Sequence, residues 1–176
     1  MAGRLCTFHG REHGGACWLE WEDDLRDPDE EIKAAWRERL ADSIEYYKYI
    51  QFIFFRQWNA IRDYAHVNGI KIVGDIPIFV ALDSADVWAN RELFQLEKDG
   101  YPTVVAGVPP DYFSATGQLW GNPLYDWDYH KKTHYDWWMR RIKGQLNMVD
   151  YIRVDHFRGF EQYYAIPYGE ETAMHG

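Results

Sequence analysis

Two short stretches carry residue types that could do chemistry. In Tyr151-Ile152-Arg153-Val154-Asp155-His156, polar and β-branched residues alternate, the pattern of a strand with two unlike faces. Period-two geometry puts Tyr151, Arg153 and Asp155 on one face and Ile152 and Val154 on the other. A guanidinium two positions from a carboxylate favours its ionised form. An ionised, oriented carboxylate is what attack on an anomeric carbon requires. An ordinary buried salt bridge would use the same two residues. Asp75 closes an earlier apolar run, Ile70, Ile72 and Val73, at the matching strand end. It is either a second carboxylate on the same rim or a cap for the helix that follows.

Between Gly107 and Pro123 the chain has no helical or strand period and carries Asp111, Tyr112, Phe113, Ser114, Gln118, Trp120 and Asn122. Loops of this length inside a domain are usually functional. Aromatic rings beside amide, hydroxyl and carboxylate groups suit a sugar, whose apolar faces stack while its hydroxyls need donors and acceptors. The same rings could instead pin a glycine-rich loop to the core. Cys6, His9, His13 and Cys17 have the residue types of a zinc site. Their C-x2-H-x3-H-x3-C spacing is not a usual finger or knuckle, and Gly10, Gly14 and Gly15 argue against a helix presenting them. No metal is expected.

The elements that would position these groups can be read from periodicity and caps. Residues 1–26 lack periodicity and read as an irregular segment with one short helix. Asp27, Pro28 and Glu30 form a capping signal for a helix over 28–41, and Asp42 and Glu45 repeat it. Tyr47, Ile50, Phe54, Trp58, Ile61 and Ala65 then make one stripe of a long helix, which Gly69 ends in a left-handed cap. A buried strand from Ile70 that ends at Gly74-Asp75 follows, then a short helix near 84–89 and a small strand at 103–106. Thr133 caps another helix with the stripe Tyr135, Trp138, Met139, Ile142, Leu146 and Val149, and the strand 151–155 closes the series. Helix followed at once by strand, twice, is the αβ unit of a parallel sheet. It suits part of a (β/α)8 barrel, whose active sites lie at the C-terminal strand ends; a complete barrel needs about 250 residues.

Composition narrows the function classes. With 19 Lys and Arg against 28 Asp and Glu, the net charge is −9, which disfavours a nucleic-acid partner because a polyanion needs a basic footprint. Aromatic residues make up 18%, too many for a disordered chain. Some of these rings are expected to do more than fill a core. Two cysteines are too few for a disulfide scaffold and suit a reducing compartment. No apolar leader opens the sequence, and the longest apolar run, near Ile50 to Phe55, is far short of the about 20 residues of a membrane span. A soluble, cytoplasmic protein with no membrane partner is expected.

Four blocks, in order, resemble glycoside hydrolase family 77: Gly74-Asp75-Ile76-Pro77-Ile78-Phe79-Val80; Ala106-Gly107-Val108-Pro109-Pro110-Asp111-Tyr112-Phe113-Ser114; Leu119-Trp120-Gly121-Asn122-Pro123-Leu124-Tyr125; and Arg153-Val154-Asp155-His156-Phe157-Arg158-Gly159-Phe160. The similarity runs from about Trp18 to Pro167 and includes Phe54-Phe55-Arg56-Gln57-Trp58. It implies an α/β fold, a partial (β/α)8 TIM barrel over residues 27–176 with an insertion at about 76–128.

The activity implied is 4-alpha-glucanotransfer, in which an α-1,4-glucan segment moves between malto-oligosaccharides by retaining double displacement with no cofactor. Asp155 would be the nucleophile and Arg153 its orienting partner. Asp75 and His156 would line the subsite of the attacked glucose, and Asp111, Tyr112, Phe113, Ser114, Trp120 and Asn122 would contact substrate. Retaining chemistry also needs a second carboxyl group roughly 5 to 5.5 Å from the nucleophile. Glu161, Glu170 and Glu171 do not fall in the family's acid/base motif, so the sequence reads as an internal fragment. The competing expectations are an α-glucan hydrolase fragment and a non-catalytic glucan-binding piece.

Overall fold

In the computed structural model, residues 14–176 are described, and the chain divides into two units. One comprises residues up to Ile76 together with Trp138–Arg153; the other comprises Pro77–Trp137 with Val154–Gly176. Cys6, His9 and His13 lie outside the described residues. Among the described residues no group of three or more His, Cys, Asp or Glu side chains is placed to hold a metal ion.

The first unit is mainly helical. A 3-10 turn at Trp18–Glu20 and α1 (Asp23–Arg26) bury Trp18, Leu19, Trp21 and Leu25. Helix α2 (Glu30–Arg39) starts two residues later than the capping signal suggests. The Asp29 carboxylate accepts from the Ile32 amide at 2.8 Å, while the Asp27 amide closes α1 on Asp23 and Glu30 pairs with Lys33. Helix α3 (Ala41–Val67) has no side-chain cap at Asp42, because its backbone bonds continue from α2 through Leu40. It does end as expected. Gly69 has φ 73°, its amide donates to His66, and the Ile70 amide donates to Ala65, the two bonds of a Schellman motif. The anticipated stripe on α3 is only partly covered: Trp58 and Ala65 are half-buried, Ile50, Phe54 and Ile61 exposed.

Strands β1 (Val73–Pro77) and β4 (Tyr151–Asp155) form a two-stranded sheet. The β4 bounds match the alternation read from sequence, and Tyr151, Arg153 and Asp155 are its exposed face. Strand β1 lies three residues later than expected. Asp75 is therefore its central residue and not its last, and the expected buried strand is largely exposed, Val73 by 65%.

The second unit is built on a three-stranded antiparallel sheet, β3 (Gln118–Pro123), β2 (Val104–Val108) and β5 (Tyr164–Pro167), with β2 central. Strand β3 corrects the view of 107–123 as wholly irregular. Pairing with β2 is broken by a bulge between Val105 and Gly107, which hides the period. At Gly107 a side chain would strike the Gln118 carbonyl at 2.3 Å. Ser84 caps α4 (Ala85–Ala89) and Asp126 caps α5 (Trp127–Lys132). Thr133 follows α5, where its hydroxyl donates to the Tyr129 and His130 carbonyls, so it closes that helix and does not open α6 (Asp136–Leu146). Among the described residues the strands form one two-stranded and one three-stranded sheet, and with the helices this is an α/β fold.

Much of the aromatic excess is core after all. Phe79, Phe94 and Trp137 pack around Tyr125, whose hydroxyl donates to the Ile78 carbonyl at 2.6 Å. His130 is fully buried against Tyr125, Trp127 and Trp137. Burial pushes its imidazole below the ordinary value, against smaller upward pulls from the Leu93 carbonyl and Asp126. The unfolded chain thus takes up this proton more readily than the folded one. The contribution of this group to stability is full above about pH 6.5 and is lost as pH falls toward the folded-state value. Denaturant titrations of the full-length protein at pH 7.5 and 5.5 should show that loss, and His130→Phe should reduce it. Equal pH dependence in both proteins would contradict the assignment.

Candidate functional site

Within the first unit the site is a charge pair. Asp75 and Arg153 are each the third residue of their strand. Arg153 Nε donates to Asp75 Oδ1 at 3.2 Å and an Nη donates to Oδ2, a two-point contact. The hydrogen bond from Arg153, more than its Coulombic attraction, holds the Asp75 carboxyl below the usual carboxylate range. Arg153 thus bonds Asp75, a cross-strand neighbour that sequence spacing does not reveal. Gly74 lets β1 pass close to the segment before β4, since a Cβ there would lie 2.9 Å from the Val149 methyls.

Asp155 ends β4 as an exposed carboxylate whose Oδ1 accepts from the His156 amide at 3.1 Å. His156 then turns the chain with φ 53° and ψ 45°, a left-handed conformation uncommon outside glycine. In the second unit its ring meets Trp120 edge to face at 5.2 Å and Phe79 at 6.3 Å. Gly159 backs it closely: a Cβ there would be 2.8 Å from the imidazole Cδ2. Trp120 is steadied by its Nε1 bond to Gln118 at 3.0 Å.

The loop tip is an Asx turn. Asp111 Oδ1 accepts from the Phe113 and Ser114 amides, both at 2.8 Å, and Ser114 Oγ donates to the Gly117 carbonyl at 2.7 Å. Between them Tyr112 and Phe113 stand 98% and 93% exposed, packed edge to face. Asp111 and Ser114 therefore build the tip that presents the two rings. Asn122 is likewise engaged with backbone, donating to the Val80 carbonyl at 2.9 Å. A cavity of about 380 Å³ opens beside the loop's base, lined by Gly107–Pro109, His156, Arg158, Gln162, Tyr163 and Tyr164. Arg158 bonds Gln162 there at 3.0 Å. Reasoning from sequence passed over Arg158, Gln162 and Tyr163; the only signal was their closeness in sequence to Asp155.

The first unit offers an ion pair between β1 and β4; the second offers an exposed carboxylate, a left-handed histidine against a tryptophan, two solvent-facing rings and a cavity beside the base of their loop. The 4-alpha-glucanotransferase model of glycoside hydrolase family 77 matches residues 5–176, beyond the limits of Trp18 and Pro167 expected from the motifs. A 4-alpha-glucanotransferase of Aquifex aeolicus is 48% identical over 94% of this chain and 34% of its own length. One from Synechocystis sp. is 50% identical over 93% and 33%. The amylomaltase of Streptococcus agalactiae, solved in complex with acarbose, superposes with a TM-score of 0.93 at 42% identity, over 99% of this chain and 36% of its own. The chain thus spans about a third of the length of the relatives it matches. It belongs to glycoside hydrolase family 77, the 4-alpha-glucanotransferases.

Proposed function

We propose that the full-length protein containing this chain transfers α-1,4-glucan segments between malto-oligosaccharides with retention of configuration. The observation that carries this reading is the β4 rim, where Asp155 follows, two residues on, the Arg153 that is bonded two-fold to Asp75. The acarbose complex of the amylomaltase neighbour supports an oligosaccharide substrate. Strands β1 and β4 are read as two strands of a (β/α)8 barrel of which residues 27–176 form part, with an insertion at about 76–128. The two cysteines suit a cytoplasmic setting.

In the proposed chemistry Asp155 attacks the anomeric carbon and the glycosidic C–O bond breaks. The leaving oxygen takes a proton from a carboxylic acid supplied by the remainder of the protein. A hydroxyl of an acceptor glucan then displaces Asp155, returning its proton to that carboxylate. Asp75 and His156 hold the attacked glucose, and Trp120 lies beside the cleaved bond. Asn122 and the Asp111–Ser114 turn shape the acceptor side. Maltotriose tests the reading. Transfer yields glucose and longer oligomers, whereas a product set with nothing longer than maltotriose would contradict it.

The exposed rings of Tyr112 and Phe113 are assigned to shielding the covalent intermediate from water. Tyr112→Ala with Phe113→Ala should raise reducing sugar released per transfer event more than it changes the rate of forming the intermediate. Trp120→Ala should slow both outcomes together. An unchanged ratio in the double variant would leave the loop tip without this role.

A further inference from the structure

Three successive turns on one face of α3 bond to a single connector. Trp58, Arg62 and His66, four residues apart, reach the segment 147–150 between α6 and β4. Trp58 Nε1 donates to the Met148 carbonyl at 2.7 Å and an Arg62 Nη donates to the Asn147 carbonyl. His66 Nε2 lies 2.9 Å from the Asp150 carboxylate. The two carbonyls stand just past the last turn of α6, where a helix leaves acceptors without internal partners.

Asp150 also ties this connector to the start of β1. Its Oδ2 accepts from the Ile72 amide at 2.8 Å, while the Asp150 and Tyr151 amides donate to the Ile72 carbonyl at 2.9 and 3.2 Å. Both main-chain polar groups of Ile72 are thereby taken. Ile72 immediately precedes β1 and Asp150 immediately precedes β4; Asp75 and Arg153 each follow three residues on. Strand side chains alternate, so a slip of one residue would turn Asp75 away from Arg153.

We propose that Asp150 is a positioning residue for the glucan-transfer site, pinning Ile72 so that β1 and β4 pair in the register that sets Asp75 against Arg153. Trp58, Arg62 and His66 hold the connector for it. The catalytic part of this inference rests on the proposed transferase reading; the pin itself does not.

Two measurements on the full-length protein test it. Without substrate, hydrogen exchange at the Ile72 amide should accelerate in Asp150→Ala and stay near wild type in Asp150→Asn, whose side-chain oxygen still accepts. With maltotriose, Asp150→Ala should lower kcat about 10²-fold with little change in KM, the scale of a small misplacement of reacting groups, and Asp150→Asn should recover most of that. In an Asp75→Asn background the added loss should nearly vanish, because the aligned pair has already lost its charge. If Asp150→Ala does not fold, His66→Leu replaces it, with a smaller kcat loss expected that also vanishes in that background. Unchanged Ile72 exchange, or the same fold-loss in both backgrounds, would overturn the proposal. A wild-type protein that transfers no glucan would sink the transferase reading and leave the pin to be judged on exchange alone.

Discussion

Asp155→Asn in the full-length enzyme is expected to lower turnover by on the order of 10⁴-fold or more, with glucan binding largely retained. The substitution preserves the shape of the β4 terminus, and its carbonyl oxygen can still accept the His156 amide bond that Asp155 makes at 3.1 Å. What it removes is the negative charge that, in the proposed mechanism, forms the bond to the anomeric carbon, a contribution made in the transition state and hardly at all in the bound ground state. The loss should accordingly fall on kcat. Turnover of the variant is read with maltotriose and binding by calorimetry on the same preparation. Near-normal turnover would take Asp155 out of the nucleophile role.

The second large effect is expected at Arg153. Lysine keeps the charge but presents a compact ammonium, which cannot reproduce the planar two-point contact with Asp75. A fall in kcat of about 10²-fold is the scale of losing such positioning. There is also a pH signature. Since the bond from Arg153 is the main cause that keeps the Asp75 carboxyl below its ordinary range, weakening that bond lets Asp75 bind a proton at higher pH. The acid limb of the rate profile should therefore move upward in Arg153→Lys while the alkaline limb stays. Coincident acid limbs would show that Asp75 ionisation is not what Arg153 controls during turnover.

How much of this was legible in the sequence varies with the range of the interaction. Tyr151–Asp155 was readable to the residue because strict alternation of apolar and polar side chains is a local property of a strand. The end of α3 was readable because only a residue tolerant of positive φ suits the position Gly69 fills. Strand β1 slipped by three residues. Ile70, Ile72 and Val73 look like a strand, yet Ile70 is spent on the helix cap and both polar groups of Ile72 are spent on Asp150 and Tyr151. Gly74 looks like a terminator but is a packing glycine against Val149.

Residue type nominated the members of the candidate site but not their wiring. Asp75, Arg153, Asp155 and His156 follow from motif and position, whereas the Arg153–Asp75 bond depends on which strands pair, 78 residues apart in sequence. Asp111 and Ser114 illustrate the reverse case. Polar side chains in an aromatic loop read as ligand contacts, and the geometry shows that their bonds make the turn holding Tyr112 and Phe113 in solvent.

The central claim, that Asp155 carries the glucan between donor and acceptor, is tested most directly by trapping. Full-length enzyme mixed with maltotriose, quenched in acid within the first turnovers and digested, should yield one peptide heavier by whole anhydroglucose units, with fragmentation assigning the added mass to Asp155. Added mass on a different residue, or continued transfer with the Asp155 peptide always unmodified, would contradict the account.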